Sequence, residues 1–187
     1  MQSQEKIIDY IENKEEIDKW LALKGEAKYL EFASLLELYS VPIYWNSLNN
    51  IYRYDKRLLI NIFKYMSFFE EFLRAQIWNM SEIAYSNLES AYLRETIDKV
   101  IELKDKTDFR EFSIDTLIKY RDSIKYLRNR ISHNKIMLTS KLDDKNLEDL
   151  IIAFKITLPE SYRKGFSADI NDCKKGLVIP QQLAITL

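Results

Sequence analysis

Apolar residues recur every three or four positions along most of this chain, the period of an α-helix rather than of a strand. Over residues 5–24, Ile7, Ile8, Ile11, Ile17 and Leu21 keep that spacing, and Gly25 follows as a stop signal. A second helix is predicted over residues 27–39. Its apolar run reaches Ser40-Val41-Pro42, where proline disfavours helix at the residue before it. Residues 44–54, rich in Asn and aromatics, read as a connector. Asp55 is then placed to cap a long third helix through Trp78, whose broad apolar face of Leu58, Leu59, Ile62, Phe63, Met66, Phe69, Leu73 and Ile77 marks it as central. Further helices are expected over residues 82–104, from 115 to 137 or 138, and over 145–155, with a polar loop at Thr107 and Asp108. Beyond Pro159, two of the three glycines and charges of both signs suggest an irregular tail.

Only three Gly and three Pro punctuate the 187 residues, which strengthens the all-α expectation. No repeat of fixed period appears, so solenoids are disfavoured. The predicted architecture is one helical bundle over residues 1–158 with an N-terminal helical extension, followed by a C-terminal tail over residues 159–187. The early residues alternate charge with apolar side chains, and no stretch approaches the roughly 18 apolar residues of a membrane span. A cytoplasmic location with no membrane partner is therefore expected. One cysteine, Cys173, and one histidine, His133, cannot supply a disulfide framework or a multi-histidine metal centre, so neither metal nor cofactor is expected.

The 28 Lys and Arg nearly balance the 29 Asp and Glu, so any contact with nucleic acid must come from a local patch. Such a patch lies between residues 119 and 135. Lys119, Arg121, Lys125, Arg128, Arg130 and Lys135 there face a single acid, Asp122. Arg121, Lys125, Arg130 and Lys135 are candidates to guide a phosphate backbone, although a basic helix also serves simply as a solvated face or pairs with acidic helices. Aromatics such as Tyr44, Trp45, Tyr52, Tyr54, Phe68, Phe69, Tyr85 and Tyr92 either fill the core or stack on bases.

Helical geometry orders the patch. At about 100° per residue from Ile124, Leu127 and Ile131 stay within about 60° of one line and Leu138 returns to it, defining a buried stripe. His133 falls about 180° away on the outer side, with Asp122 and Asn129 within roughly 40° of it. Arg128 is offset from His133 by about 140° and about 7.5 Å of rise, so the two do not meet on one straight helix. They would meet through a bent helix end or a second copy of the helix. Alternatively, His133 is an exposed or capping residue whose charge suits a helix C-terminus.

The segment Leu127-Arg128-Asn129-Arg130-Ile131-Ser132-His133-Asn134 resembles the R-x-x-x-x-H motif of HEPN domains, including the polar residue after the arginine. The stretch Phe68-Phe69-Glu70-Glu71-Phe72-Leu73-Arg74 is similar to the glutamate and Leu/Ile-Arg pattern that precedes it in the Abi-like (abortive infection) branch. Order and separation agree, and the resemblance covers residues 55–138. It implies a HEPN-like bundle that forms a homodimer and acts as a metal-independent endoribonuclease in antiphage defence or as a toxin, with an antitoxin protein among the partners such a role allows. Arg128 and His133 carry over as catalytic candidates, Asn129 as the polar residue beside them, and Glu70 and Arg74 as supports. Glu70 and Arg74 also read simply as an i,i+4 ion pair. The sequence departs from the nucleotidyltransferase-paired branch: Asn134, Lys135 and Ile136 follow the histidine where a tyrosine is often found, so control by modification of that tyrosine is not expected.

RNA carries its own nucleophile, the 2′-hydroxyl, so cleavage needs a base, an acid and charge stabilisation on the phosphate. Histidine titrates near about 6.5 in model peptides and suits the proton transfers, and arginine offers a permanently charged fork to phosphate oxygens. The rival reading is a non-catalytic dimeric module whose basic helix binds RNA, a nucleotide or an acidic protein.

Overall fold

The computed structural model describes residues 14–81, 92–103, 111, 113–139 and 146–187, with side chains from residue 19 onward. Among these residues there are seven α-helices and no strand: α1 (Lys14–Lys24), α2 (Glu26–Leu38), α3 (Trp45–Met80), α4 (Leu93–Glu102), α5 (Ile114–Ser132), α6 (Leu147–Thr157) and α7 (Glu160–Asp172). The expected all-α class is thus observed. The predicted helical segments at residues 5–13 and 82–91, and the loop at Thr107 and Asp108, lie outside the described residues.

Helix α3 is the axis of the bundle and packs against α2, α4, α5 and α7. Its 36 residues extend about 54 Å. One face buries Leu48, Ile51, Tyr54, Leu58, Ile62, Phe69, Leu73 and Ile77 at the spacing that brings side chains onto one line. The helix begins at Trp45, ten residues before the start read from sequence, so residues 45–54 are helix and not connector. The reason is aromatic packing. Tyr29 of α2 lies 5.2 Å from Trp45 and stacks on Tyr52 at 5.5 Å, while Phe32 meets Tyr52 edge-on. Asp55 is consequently not a cap; it sits in mid-helix at 1% exposure.

Helix α2 ends where expected, by backbone hydrogen bonds and not by proline alone. Ser40 adopts φ 54°, the Val41 N–H reaches Leu36 O at 2.9 Å and the Ser40 N–H reaches Glu37 O at 3.0 Å, a Schellman closure. Gly25, at φ 85°, separates α1 from α2.

The region after Pro159 is not an irregular tail. Thirteen of its residues form α7, which buries Phe166 and Ile170 against α3 and α6. Phe166 lies edge-on to Tyr65 at 5.0 Å and to Phe154 at 5.5 Å. The closing residues are built in too, as the Ile185 N–H donates to the Tyr54 hydroxyl at 2.8 Å and Asn171 bonds both backbone groups of Leu187. Only two apolar anchors four residues apart mark α7 among its charges, too sparse a stripe to read. Gly165 adds to the disguise. It sits inside the helix because an added Cβ would stand 2.9 Å from the Tyr65 hydroxyl.

Candidate functional site

Helices α3 and α5 bring the two sequence stretches of interest together. Glu70 of α3 accepts through Oε1 from Arg128 Nε of α5 at 3.3 Å, and through Oε2 from Arg74 Nη2 at 3.3 Å. Arg128 Nη1 also donates to the Ser132 hydroxyl one turn on, and that hydroxyl donates to the Arg128 carbonyl at 2.9 Å. The carboxylate is 15% exposed and the Arg128 side chain 36%, so the pair lies at the edge of the core, where screening is reduced. Two sides of the guanidinium are thereby fixed, and Arg128 lines a cleft of ≈ 240 Å³ together with Tyr92, Leu93, Arg94, Lys125 and Asn129. Burial holds the Lys125 ammonium below its usual range, with the Arg121 charge adding to the effect.

His133 stands at the other end of the same motif. The helix stops one residue before it: His133 is the C-cap and gives its N–H to Asn129 O at 3.1 Å. Asn134 turns left-handed at φ 49°, the Lys135 N–H reaches Arg130 O at 2.9 Å and the Asn134 N–H reaches Ile131 O at 3.0 Å, a second Schellman closure. The expected continuation of helix to residue 138 is therefore not observed, although Leu138 is buried in the turn that follows. The imidazole is exposed at a pocket of ≈ 400 Å³ whose lining includes Lys28, Glu31, Asn134 and Lys135. Arg128 and His133 thus open onto different clefts.

The other candidates divide. Asn129 is exposed in the Arg128 cleft and meets His133 through its backbone carbonyl. Lys125 rims that cleft and Lys135 lies exposed beside His133. Arg121 spans to α4, with Nη2 2.6 Å from Asp98. Arg130 is no phosphate guide. It is 4% exposed, with Nη2 bonded to the Ile136 carbonyl and, at 3.0 Å, to the Thr139 hydroxyl, and with Nη1 3.1 Å from the Tyr126 hydroxyl. The chain folding back after Asn134 covers it. Among the aromatics, Tyr54 and Phe69 are core, Tyr44 and Tyr92 are exposed, and Tyr85 lies outside the described residues.

Sequence reasoning missed what holds the turn. Asp55 accepts the Leu138 N–H at 2.9 Å from deep in the core. Burial pushes its carboxyl up to about 6, partly offset by the Leu138 and Met137 amides and by the Lys56 and Arg130 charges. Lys56 gives its ammonium to Asn134 Oδ1 at 2.6 Å. A lone Asp inside an apolar stripe was the available signal, and it looked like a cap.

Among the described residues, no group of three or more His, Cys, Asp or Glu is arranged to hold a metal ion, and no helix is long and apolar enough to cross a membrane. Comparison with known proteins finds no family model, curated protein or solved structure that matches the chain.

Proposed function

We propose that the chain is a HEPN-type, Abi-like endoribonuclease that works as a cytoplasmic homodimer, cutting RNA in antiphage defence or as a toxin held in check by an antitoxin. The observation that carries this reading is the contact of Glu70 with both Arg74 and Arg128, which joins the two motif stretches across α3 and α5. A glutamate serving only as an intrahelical partner for Arg74 would have no reason to reach Arg128. The division of Arg128 and His133 between two clefts fits a site completed by a second copy of α5.

In this reading a His133 imidazole takes the proton of the 2′-hydroxyl as its oxygen bonds to phosphorus. The bond from phosphorus to the 5′-oxygen breaks, and that oxygen receives a proton from a His133 imidazolium of the dimer. The products are a 2′,3′-cyclic phosphate and a 5′-hydroxyl, with no metal required for the balance. Arg128 donates to the phosphate oxygens as charge develops. The rival, a non-catalytic dimeric binding module, draws on the same contacts, since an Arg128 held by Glu70 and Ser132 is also a structural brace.

His133→Ala separates them. Wild type and variant of equal helicity and oligomeric state are incubated with single-stranded and transfer RNA in excess EDTA. Cleavage by wild type, reduced about a hundredfold or more in the variant with RNA affinity retained, is the expected result. RNA bound equally by both and cut by neither supports the binding module.

A further inference from the structure

The pocket beside His133 contains a juxtaposition that the motif does not account for. Lys28 of α2 lines the pocket, and Lys56 of α3 borders it through the lining residue Asn134, close enough for the charge of one lysine to act on the other. Lys56 is already tied to Asn134 Oδ1, and Lys135 stands on the opposite side of the turn. Glu31 is the one carboxylate in that lining; Asp55, next to Lys56 in sequence, is buried and bonded to the Leu138 amide. Lys28, Arg130, His133 and Lys135 therefore share that lining with a single carboxylate, and Lys56 adds a further cation beside Asn134. Burial first, and then the Lys28 charge, holds the Lys56 ammonium below its usual range, with the Asp55 charge pulling the other way. Lys24 crowds the same corner, 4.4 Å above the Tyr52 ring, from which Lys56 lies 5.9 Å.

We infer that Lys28 and Lys56 form a phosphate subsite next to His133, which grips a backbone phosphodiester of a single-stranded RNA flanking the bond to be cut. The subsite rests on the ribonuclease reading for its role, but its chemistry stands on the lysine pair. Two neighbouring ammonium groups repel, and a phosphate between them converts repulsion into two charge-assisted hydrogen bonds. A strand is favoured over a free anion by the layout. The cations lie on both sides of an exposed turn, and ≈ 400 Å³ is room for a nucleotide unit instead of a bare ion. This places part of the substrate path on α2, outside the stretch that carries the motif.

The test uses the full chain and a fluorescent single-stranded deoxyribonucleotide, which lacks the 2′-hydroxyl and is not cut. Anisotropy titrations over a range of salt are made for wild type, Lys28→Ala and Lys28→Arg. The expected result is an affinity loss of about fivefold in Lys28→Ala, with the slope of log affinity on log salt reduced by about 0.7, and wild-type behaviour in Lys28→Arg. Unchanged affinity and slope in Lys28→Ala, or no strand binding by wild type, overturns the subsite. Adenosine monophosphate binding as tightly as the oligonucleotide overturns the strand as occupant. Because the probe is uncleavable, a slope change with no RNA cutting by wild type sinks the ribonuclease reading and leaves the subsite standing. RNA cutting without the slope change does the reverse.

Discussion

Asp55→Asn tests the electrostatics under the His133 turn. The carboxyl is 1% exposed, and burial raises it from an ordinary 3.8 to about 6. A folded-state value above the unfolded one means that the group's stabilising contribution is complete below about 3.8 and is lost as pH climbs through about 6. At about 1.36 kcal/mol per pH unit, that interval amounts to about 3 kcal/mol between the two extremes. Asparagine keeps a carbonyl for the Leu138 N–H and does not titrate. Urea unfolding of wild type and variant, repeated between about pH 4 and about pH 7.5, should therefore show the wild type losing about 2.4 kcal/mol relative to the variant as pH rises, since part of the full interval is already lost at about pH 4. Taking the difference removes the other carboxylates, including Asp169, which its hydrogen bond from Lys64 holds low and which acts with the opposite sign. A difference flat to about 0.5 kcal/mol would mean that burial is balanced by the amides and nearby cations. A difference of opposite sign would mean that Arg130 and Lys56 dominate.

Two further substitutions read the frame around the site. Arg130→Ala removes a buried guanidinium that bonds Ile136, Thr139 and Tyr126, and should cost about 3 kcal/mol in chemical denaturation, as against under about 0.5 kcal/mol for Lys135→Ala. Equal small losses would return Arg130 to the phosphate-guiding set. Gly165→Ala should destabilise by about 1 kcal/mol, because its Cβ meets the hydroxyl of a Tyr65 ring held by Phe166 and Phe68 and this outweighs the helix-propensity gain. In a Tyr65→Phe background that cost should vanish or reverse, and an identical cost in both backgrounds refutes the close-approach argument.

Legibility in the sequence followed the density of the apolar stripe. The central part of α3 and the stripe of Ile124, Leu127 and Ile131 in α5 were plain, because each turn carries an apolar residue and each is buried. The first three turns of α3 were hidden by Asn and aromatic side chains that stack on α2, a tertiary effect with no local period. The end of α5 was overrun because Leu138 returns to the stripe by count, whereas the chain reaches that burial by turning at Asn134. At the site, spacing alone separated Arg128 from His133, as observed. It gave no hint that Arg130 would be roofed over, since what covers it lies six to nine residues further on.

The two candidate residues are positioned by opposite means. Arg128 is fixed at its side chain, by Glu70 from α3 and by Ser132 from its own helix, while its backbone is helical. His133 is fixed at its backbone, by the closure at Asn134 and by the Asp55, Lys56 and Arg130 bonds that clamp the following turn, while its imidazole is exposed. The division suits the chemistry proposed for each. A phosphate-binding guanidinium gains from a fixed orientation, since directed donors need no reorganisation as charge develops. A proton carrier must turn between two oxygens, and an anchored cap residue with a free ring permits that within a small radius. The same logic makes Asp55 and Glu70 equivalent in rank though unlike in setting: each is the acidic residue through which α3, the longest helix, holds one end of the motif.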